Sequence, residues 1–200
     1  MGAKPWHAHP FTLAIGELKE RKGHHVSLAA WLRCAATRPA LHHYVIGKGA
    51  GDEYQRSLES QVARAGLAER VHLLGNIDED DKIDLLQRAQ VFVHTPVQAS
   101  DGGFEGFGLV YLEASAAGVA CLGTLGCGAE DAIVHERTGL LVEPNVDAVS
   151  GALARLLDDG ALRERMGRAG RAHAAQSSWS ENARAVLALY DAALSARGGR

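Results

Sequence analysis

The feature that most constrains this chain is a repeated alternation along its first 142 residues. Short apolar runs at 11–15, 44–46, 71–74, 91–93, 119–122 and 140–142 are separated by stretches of helical periodicity at 22–36, 52–65, 79–89, 108–117 and 130–135. Apolar runs of that length, bounded by turn residues and joined by helices, read as βαβ units around a parallel sheet. Parallel strands need long crossovers, and helices on both faces then bury the sheet. Four runs are followed by a glycine, at Gly16, Gly47, Gly75 and Gly123. These glycines open the carboxyl edge of the sheet, where open α/β sheets bind ligands. After Pro144 the alternation stops, and 146–157, 161–176 and 181–196 read as three helices with no strand between them. The expected fold is one α/β domain with a Rossmann-like parallel sheet of about six strands, helices on both faces and a helical tail. Residues 1–10 read as a linker or disordered start, 11–196 as the domain and 197–200 as a frayed tail.

Composition narrows the function classes. Of 200 residues, 46% are hydrophobic, enough for one real core. No apolar run approaches the ~18 residues of a membrane span. The start MGAKPWHAHPF lacks the basic-then-apolar order of a signal peptide. A formal net charge of -3 argues against a general nucleic-acid binder. Cys34, Cys121 and Cys127 show no paired spacing and suit a reducing compartment. The expected location is cytoplasmic, with contact to a membrane surface left open.

The most informative stretch is 102–122, GGFEGFGLVYLEASAAGVACL. Glu105 and Glu113 stand eight positions apart, and Gly106, Phe107 and Gly108 between them open a helical pattern. Along a helix that spacing separates the carboxylates by roughly 12 Å. A helix N-terminus offers free N–H groups and a favourable dipole, a ready site for a diphosphate. Glycines let a ligand approach the backbone. A carboxylate accepts hydrogen bonds from a sugar diol. Sugar, diphosphate and ribose then fit in one line. Taken alone, Glu105 is equally an ordinary helix-start acid and Glu113 a solvated helix residue.

In company the residues carry more. The E-x7-E spacing with Gly-Phe-Gly-Leu after the first Glu resembles the signature of glycosyltransferase family 4. The following 114–118 (ASAAG), the loop 126–131 (GCGAED), the run 138–142 (TGLLV) and the turn 16–23 (GELKERKG) are similar to that family's motifs in the same order. So are 71–75 (VHLLG) and 89–94 (AQVFVH), and the resemblance covers about Thr12 to Tyr190.

The resemblance implies the donor-binding, C-terminal half of a GT-B fold enzyme that retains anomeric configuration. It implies that Glu105 holds donor-sugar hydroxyls and that Gly106, Phe107 and Gly108 offer backbone N–H groups to sugar and phosphates. Glu113 would bind the ribose and Lys22 the departing diphosphate, which makes Glu105 and Lys22 the catalytic candidates. Gly16 and Arg21 join the donor site, as do Gly49 and Gly75 in the turns that follow the second and third apolar runs. No metal and no cofactor are implied; the substrate is a UDP-, GDP- or ADP-sugar. One departure matters: many relatives carry Arg after the first glycine, and this chain carries Glu17. Either Glu17 points away while Arg21 and Lys22 supply the charge, or donor affinity is weak.

Other candidates carry less. In His24-His25 and His42-His43 the neighbours point apart, which suits local hydrogen bonds better than a metal. His7 and His9 are expected to be inert in the linker, and His94, after the fourth run and near the proposed site, to be a packing residue, with contact to the donor as the alternative. The turn 47–51 (GKGAG) lacks the G-K-[ST] ending of a P-loop. Cys127, flanked by glycines, is the one cysteine worth testing for reactivity.

A family enzyme pairs two Rossmann-like domains across a cleft, so an N-terminal acceptor-binding domain or subunit is the expected partner. The alternatives are a non-catalytic nucleotide-sugar-binding module, a subunit of a split transferase and, with less support from the motifs, a sugar-nucleotide epimerase.

Overall fold

The computed structural model describes residues 2–49, 51, 53–99 and 102–198. Strands β1 (Phe11–Ile15), β2 (His42–Ile46), β3 (Val71–Gly75), β4 (Val91–Val93), β5 (Cys121–Thr124) and β6 (Gly139–Val142) form one sheet. Its order is β3-β2-β1-β4-β5-β6, with every neighbouring pair parallel. The chain winds outward from β1 in one direction and from β4 in the other, so the order reverses between those two strands. Their carboxyl ends therefore flank the switch-point crevice, where sheets of this kind take ligands.

Helices α1 (His24–Ala35), α2 (Glu53–Arg64), α3 (Glu79–Arg88), α4 (Leu109–Ala117), α5 (Val146–Asp158) and α6 (Gly160–Ala174) cover the sheet, and α7 (Trp179–Gly198) follows. Alternate side chains of β1 feed two cores. Ala14 joins Trp31, Leu58, Val149, Leu153 and Met166 on one face. Phe11, Leu13 and Ile15 join Leu85, Phe92, Tyr111 and Ile133 on the other. All five residues of β1 are buried. This is why the strands read as continuous apolar runs and not as alternation.

The apolar runs predict four strands to within two residues at either end, and β1 and β4 fully. Three expectations need correction. The run 119–122 is displaced, because Gly118 ends α4 in a left-handed conformation (φ 83) and Val119 donates to Ala114 O at 3.0 Å. Val119 thus belongs to a helix C-cap and the strand starts at Cys121. The stretch 130–135 is not an α-helix but a single 3-10 turn, Ala129–Asp131. So short a segment cannot repay helix nucleation. It is instead held in a turn by Thr138, whose hydroxyl accepts from Val134 N at 2.9 Å. Finally, α4 begins only at Leu109, with Gly108 left-handed (φ 77) before it. Glu105 lies ahead of the helix, so helical rise does not set its distance from Glu113.

The N-terminal segment is docked. Pro5–His7 form a 3-10 turn with Trp6 buried. Trp6 Nε1 donates to Asp84 of α3 at 2.6 Å, His7 Nε2 meets the same carboxylate at 2.6 Å, and Lys4 pairs with Asp81 at 2.7 Å. His7 is thus engaged, contrary to the sequence expectation, and His9 stacks on His42 at 4.1 Å. At the other end, every side chain of α7 from Trp179 to Ser195 is exposed.

Candidate functional site

The turn after β1 and the loop after β4 meet at the switch point. Gly16 N donates to Ile46 O and Gly47 N to Gly75 O, which lays the exits of β1, β2 and β3 side by side. The fit is tight: a Cβ on Gly47 would stand 1.9 Å from Gly16 O. His24 secures the turn, with Nε2 at 3.1 Å from Gly16 O and 3.2 Å from Glu17 O. Burial, helped by the nearness of His94, pushes its pKa down to about 3. His24 is therefore neutral near pH 7 and donates Nε2–H to these carbonyls.

Lys22 and Arg21 follow on a 3-10 turn, Glu20–Lys22. Both aim at Glu105. Lys22 Nζ pairs with Glu105 Oε2, and Arg21 Nη1 stands 3.6 Å from the same oxygen. The Lys22 and Glu105 side chains are only 16% and 12% exposed, so the pair is largely shielded from water. His94, at the end of β4, puts Nε2 at 3.7 Å from Glu105 Oε2. Contact with His94 and the ammonium of Lys22 hold the Glu105 carboxyl at about 2, against the opposing effect of burial. Glu105 is thus ionised throughout the neutral range. The local count is two cations, one carboxylate and two neutral imidazoles, which leaves one positive charge in excess. That excess suits a ligand anion.

Glu17 does not spoil this balance. Its carboxylate pairs with Lys19 at 2.8 Å, and both side chains are half exposed. Glu17 is turned to Lys19, while Arg21 and Lys22 face Glu105, which is the geometry of the first sequence alternative.

Gly106 and Gly108 carry the chain from Glu105 into α4. Gly128, in the loop after β5, packs on this segment so closely that a Cβ would meet Gly106 O at 2.2 Å and Glu105 O at 3.1 Å. Cys127 beside it is buried, and burial raises its thiol pKa, which argues against a reactive thiolate.

Gly16, Arg21, Lys22 and Glu105 are brought together; the other candidates are more spread. Glu113, on α4, is half exposed and stands 3.5 Å from Lys82 of α3. It lines a cleft of about 640 Å³ with Phe107, Leu109, Trp179 and Asn182. Gly49 and Gly75 lie at the exits of β2 and β3; a Cβ on Gly49 would meet Gln55 of α2 at 2.0 Å. The turn 47–51 includes Ala50, which lies outside the described residues. Sequence reading missed the contacts of His94 and His24 with this site. Position gave one signal, since His94 directly follows β4, one of the two strands that flank the switch point. The histidine pairs bond locally, as expected: His43 Nδ1 meets Thr12 Oγ1 at 2.8 Å and His42 Nδ1 meets His72 Nε2 at 3.0 Å.

The family model for glycosyl transferases group 1 matches residues 5–173. The chain belongs to this family. It is 35% identical over 174 residues to the GDP-mannose-dependent monoacylated alpha-(1-6)-phosphatidylinositol monomannoside mannosyltransferase of Corynebacterium glutamicum, covering 86% of this chain and 44% of that protein. A glycogen synthase of Mycobacterium tuberculosis is 30% identical, with 90% of this chain and 42% of that protein covered. The group 1 chain thus spans less than half the length of these curated relatives.

Solved structures agree on the fold. The C-terminal domain of a glycosyl transferase group 1 family protein from Francisella tularensis superposes with a TM-score of 0.71 at 25% identity, covering 86% of this chain and 88% of that one. An Anabaena protein solved with UDP and glucose superposes with a TM-score of 0.79 at 22% identity, covering 92% of this chain and 49% of that one. Among the described residues no helix is long and apolar enough to cross a membrane.

Proposed function

We propose that this group 1 chain is the donor-binding, C-terminal half of a retaining glycosyltransferase of family 4. The observation that carries the reading is the convergence of Lys22 and Arg21 on Glu105 at the switch point, just ahead of the N-terminus of α4. In this reading Glu105 accepts hydroxyl hydrogen bonds from the donor sugar. Lys22 and Arg21 take the diphosphate and stabilise its charge as it leaves. Backbone N–H groups of Gly106, Phe107 and Gly108 and the helix dipole assist. Glu113 accepts from the ribose, and the exits at Gly16, Gly49 and Gly75 line the rest of the donor site. The reaction needs no metal in this scheme, because the cations come from side chains.

The domain of residues 11–196 would work in the cytoplasm against an N-terminal acceptor-binding domain or subunit. Two observations support such a partner. The relatives are more than twice the length matched, and α7 exposes Trp179, Leu187, Leu189, Tyr190 and Leu194. The same observations fit the alternative of a subunit of a split transferase. The group 1 assignment favours transfer over epimerisation.

The test is a thermal-shift titration of the chain with GDP, UDP and ADP and their sugars, GDP-mannose first. Ligands that bind the native state raise its Tm by mass action. A shift with one base, needing about tenfold more ligand in Glu113→Ala, is the expected result. No shift with any of them would sink the donor-site reading for this chain.

A further inference from the structure

We propose that His94 is a positioning residue for Glu105, taking over the carboxylate by hydrogen bond when Lys22 turns to a diphosphate. The proposal rests on the donor-site reading above and adds a residue that the family motifs do not mark. Lys22 has two demands on one ammonium. It is paired with Glu105 in the structure, and a diphosphate would compete for it. Once released, Glu105 would be a largely buried carboxylate short of a partner, and such a charge needs a replacement hydrogen bond.

His94 is built to supply it. The side chain is fully buried, and neither ring nitrogen has a hydrogen-bond partner among the described residues. Buried polar atoms without partners are rare and call for an explanation. At 3.7 Å, Nε2 is just beyond hydrogen-bond length from Glu105 Oε2, and a small shift of the loop closes the gap to ~3 Å. The ring cannot wander. It lies 5.4 Å from the Tyr111 ring and 6.4 Å from those of His24 and Phe92, and a Cβ on Gly16 would touch its Cε1 at 3.4 Å. The Tyr111 hydroxyl donates to the carbonyl of His94 itself at 2.6 Å, which fixes the backbone. The charged and titratable groups around the ring are Glu105, Lys22, Arg21, His24 and Tyr111. Burial, more than any of these, keeps the imidazole neutral. A neutral ring that donates Nε2–H to one carboxylate oxygen leaves the other for sugar hydroxyls.

Two measurements test this. The first needs no ligand: long-range ¹⁵N–¹H NMR of the whole labelled chain reads the tautomer of His94. The expected result is a neutral Nε2–H imidazole near pH 7 that titrates below the ordinary ~6.5, with ring shifts that move in Glu105→Gln. An Nδ1–H tautomer, or titration near the ordinary ~6.5, overturns the proposal. The second compares binding of GDP-mannose and UDP-glucose with that of GDP and UDP in wild type, His94→Leu and His94→Gln, each checked for cooperative unfolding. Because nucleotide and sugar nucleotide both carry the diphosphate that draws Lys22 off Glu105, His94→Leu should weaken both by about tenfold, while His94→Gln, which keeps a donor, restores most of the loss. Unchanged affinity for both ligand types, or no rescue by Gln in a folded variant, also overturns it. Should wild type bind none of the four ligands, the donor-site reading fails, and the tautomer measurement alone decides the His94–Glu105 pair.

Discussion

The ammonium of Lys22, in the turn after β1, sits on the carboxylate of Glu105, 83 positions further along the chain and just ahead of α4. The contact ties together the two strand exits that flank the switch point. It makes Lys22 and Glu105 one unit, whose two groups the proposed function assigns separate roles toward a donor. A double-mutant cycle of Lys22→Met and Glu105→Gln, followed by urea unfolding, should therefore be non-additive. Each single change strands a mostly buried group, and the double change removes both, for a coupling of about 1 kcal/mol or more. Additive losses would show that the pair is not coupled in solution.

Toward substrate the same residues should fail differently. With the acceptor half present, Glu105→Ala and Lys22→Ala should each lower kcat by on the order of 10²-fold, because both act where charge develops in the transition state. Glu113→Ala should weaken nucleotide and sugar nucleotide alike by about tenfold, as the loss of a charged hydrogen bond to a ribose does. Isothermal titration with both ligand types separates these patterns. An effect of Glu113→Ala on sugar nucleotide alone would misplace the ribose.

Gly128 tests the packing behind the site. Its φ is 67°, and a Cβ would lie 2.2 Å from Gly106 O. Gly128→Ala should combine left-handed strain with a backbone clash, cost about 1–3 kcal/mol and lower Tm by roughly 5 °C. Because the displaced segment is 105–106, donor binding should weaken too. A variant with wild-type Tm and affinity would show that this loop does not press on the site.

Stability should depend on pH through the buried histidines. Burial is the leading cause of lowered pKa values at His24, to about 3, and at His42 and His43, each to about 4. An unfolded histidine takes its proton near ~6.5. Below that pH the unfolded chain binds more protons than the native one, so stability is full above ~6.5 and falls as the pH drops toward 4. Glu105, held at about 2, adds its own loss as the pH falls from the ordinary carboxylate value of ~4.3 toward 2. Calorimetric Tm values from about pH 7.5 to about pH 4.5 should decline steadily. A flat profile would mean that these histidines are hydrated in solution.

Local pattern determined much of this protein. Apolar runs placed all six strands to within two residues, because strands buried on both faces are largely apolar. The E-x7-E spacing marked Glu105 by residue type and position, and the resemblance of the GELKERKG turn to motifs of glycosyltransferase family 4 marked Lys22. Tertiary structure decided the rest. The left-handed Gly108 takes Glu105 out of the helix that its spacing suggested, and the Gly118 cap moves a strand by two residues. The sheet order, which seats β1 beside β4, brings Lys22, Arg21 and His94 onto one carboxylate. Pairing across 83 residues has no local signature, and an isolated histidine after a strand reads the same whether it fills a core or faces a buried charge. Only the packing of the chain distinguishes the two, because burial and the nearest charge are properties of the fold and not of the segment.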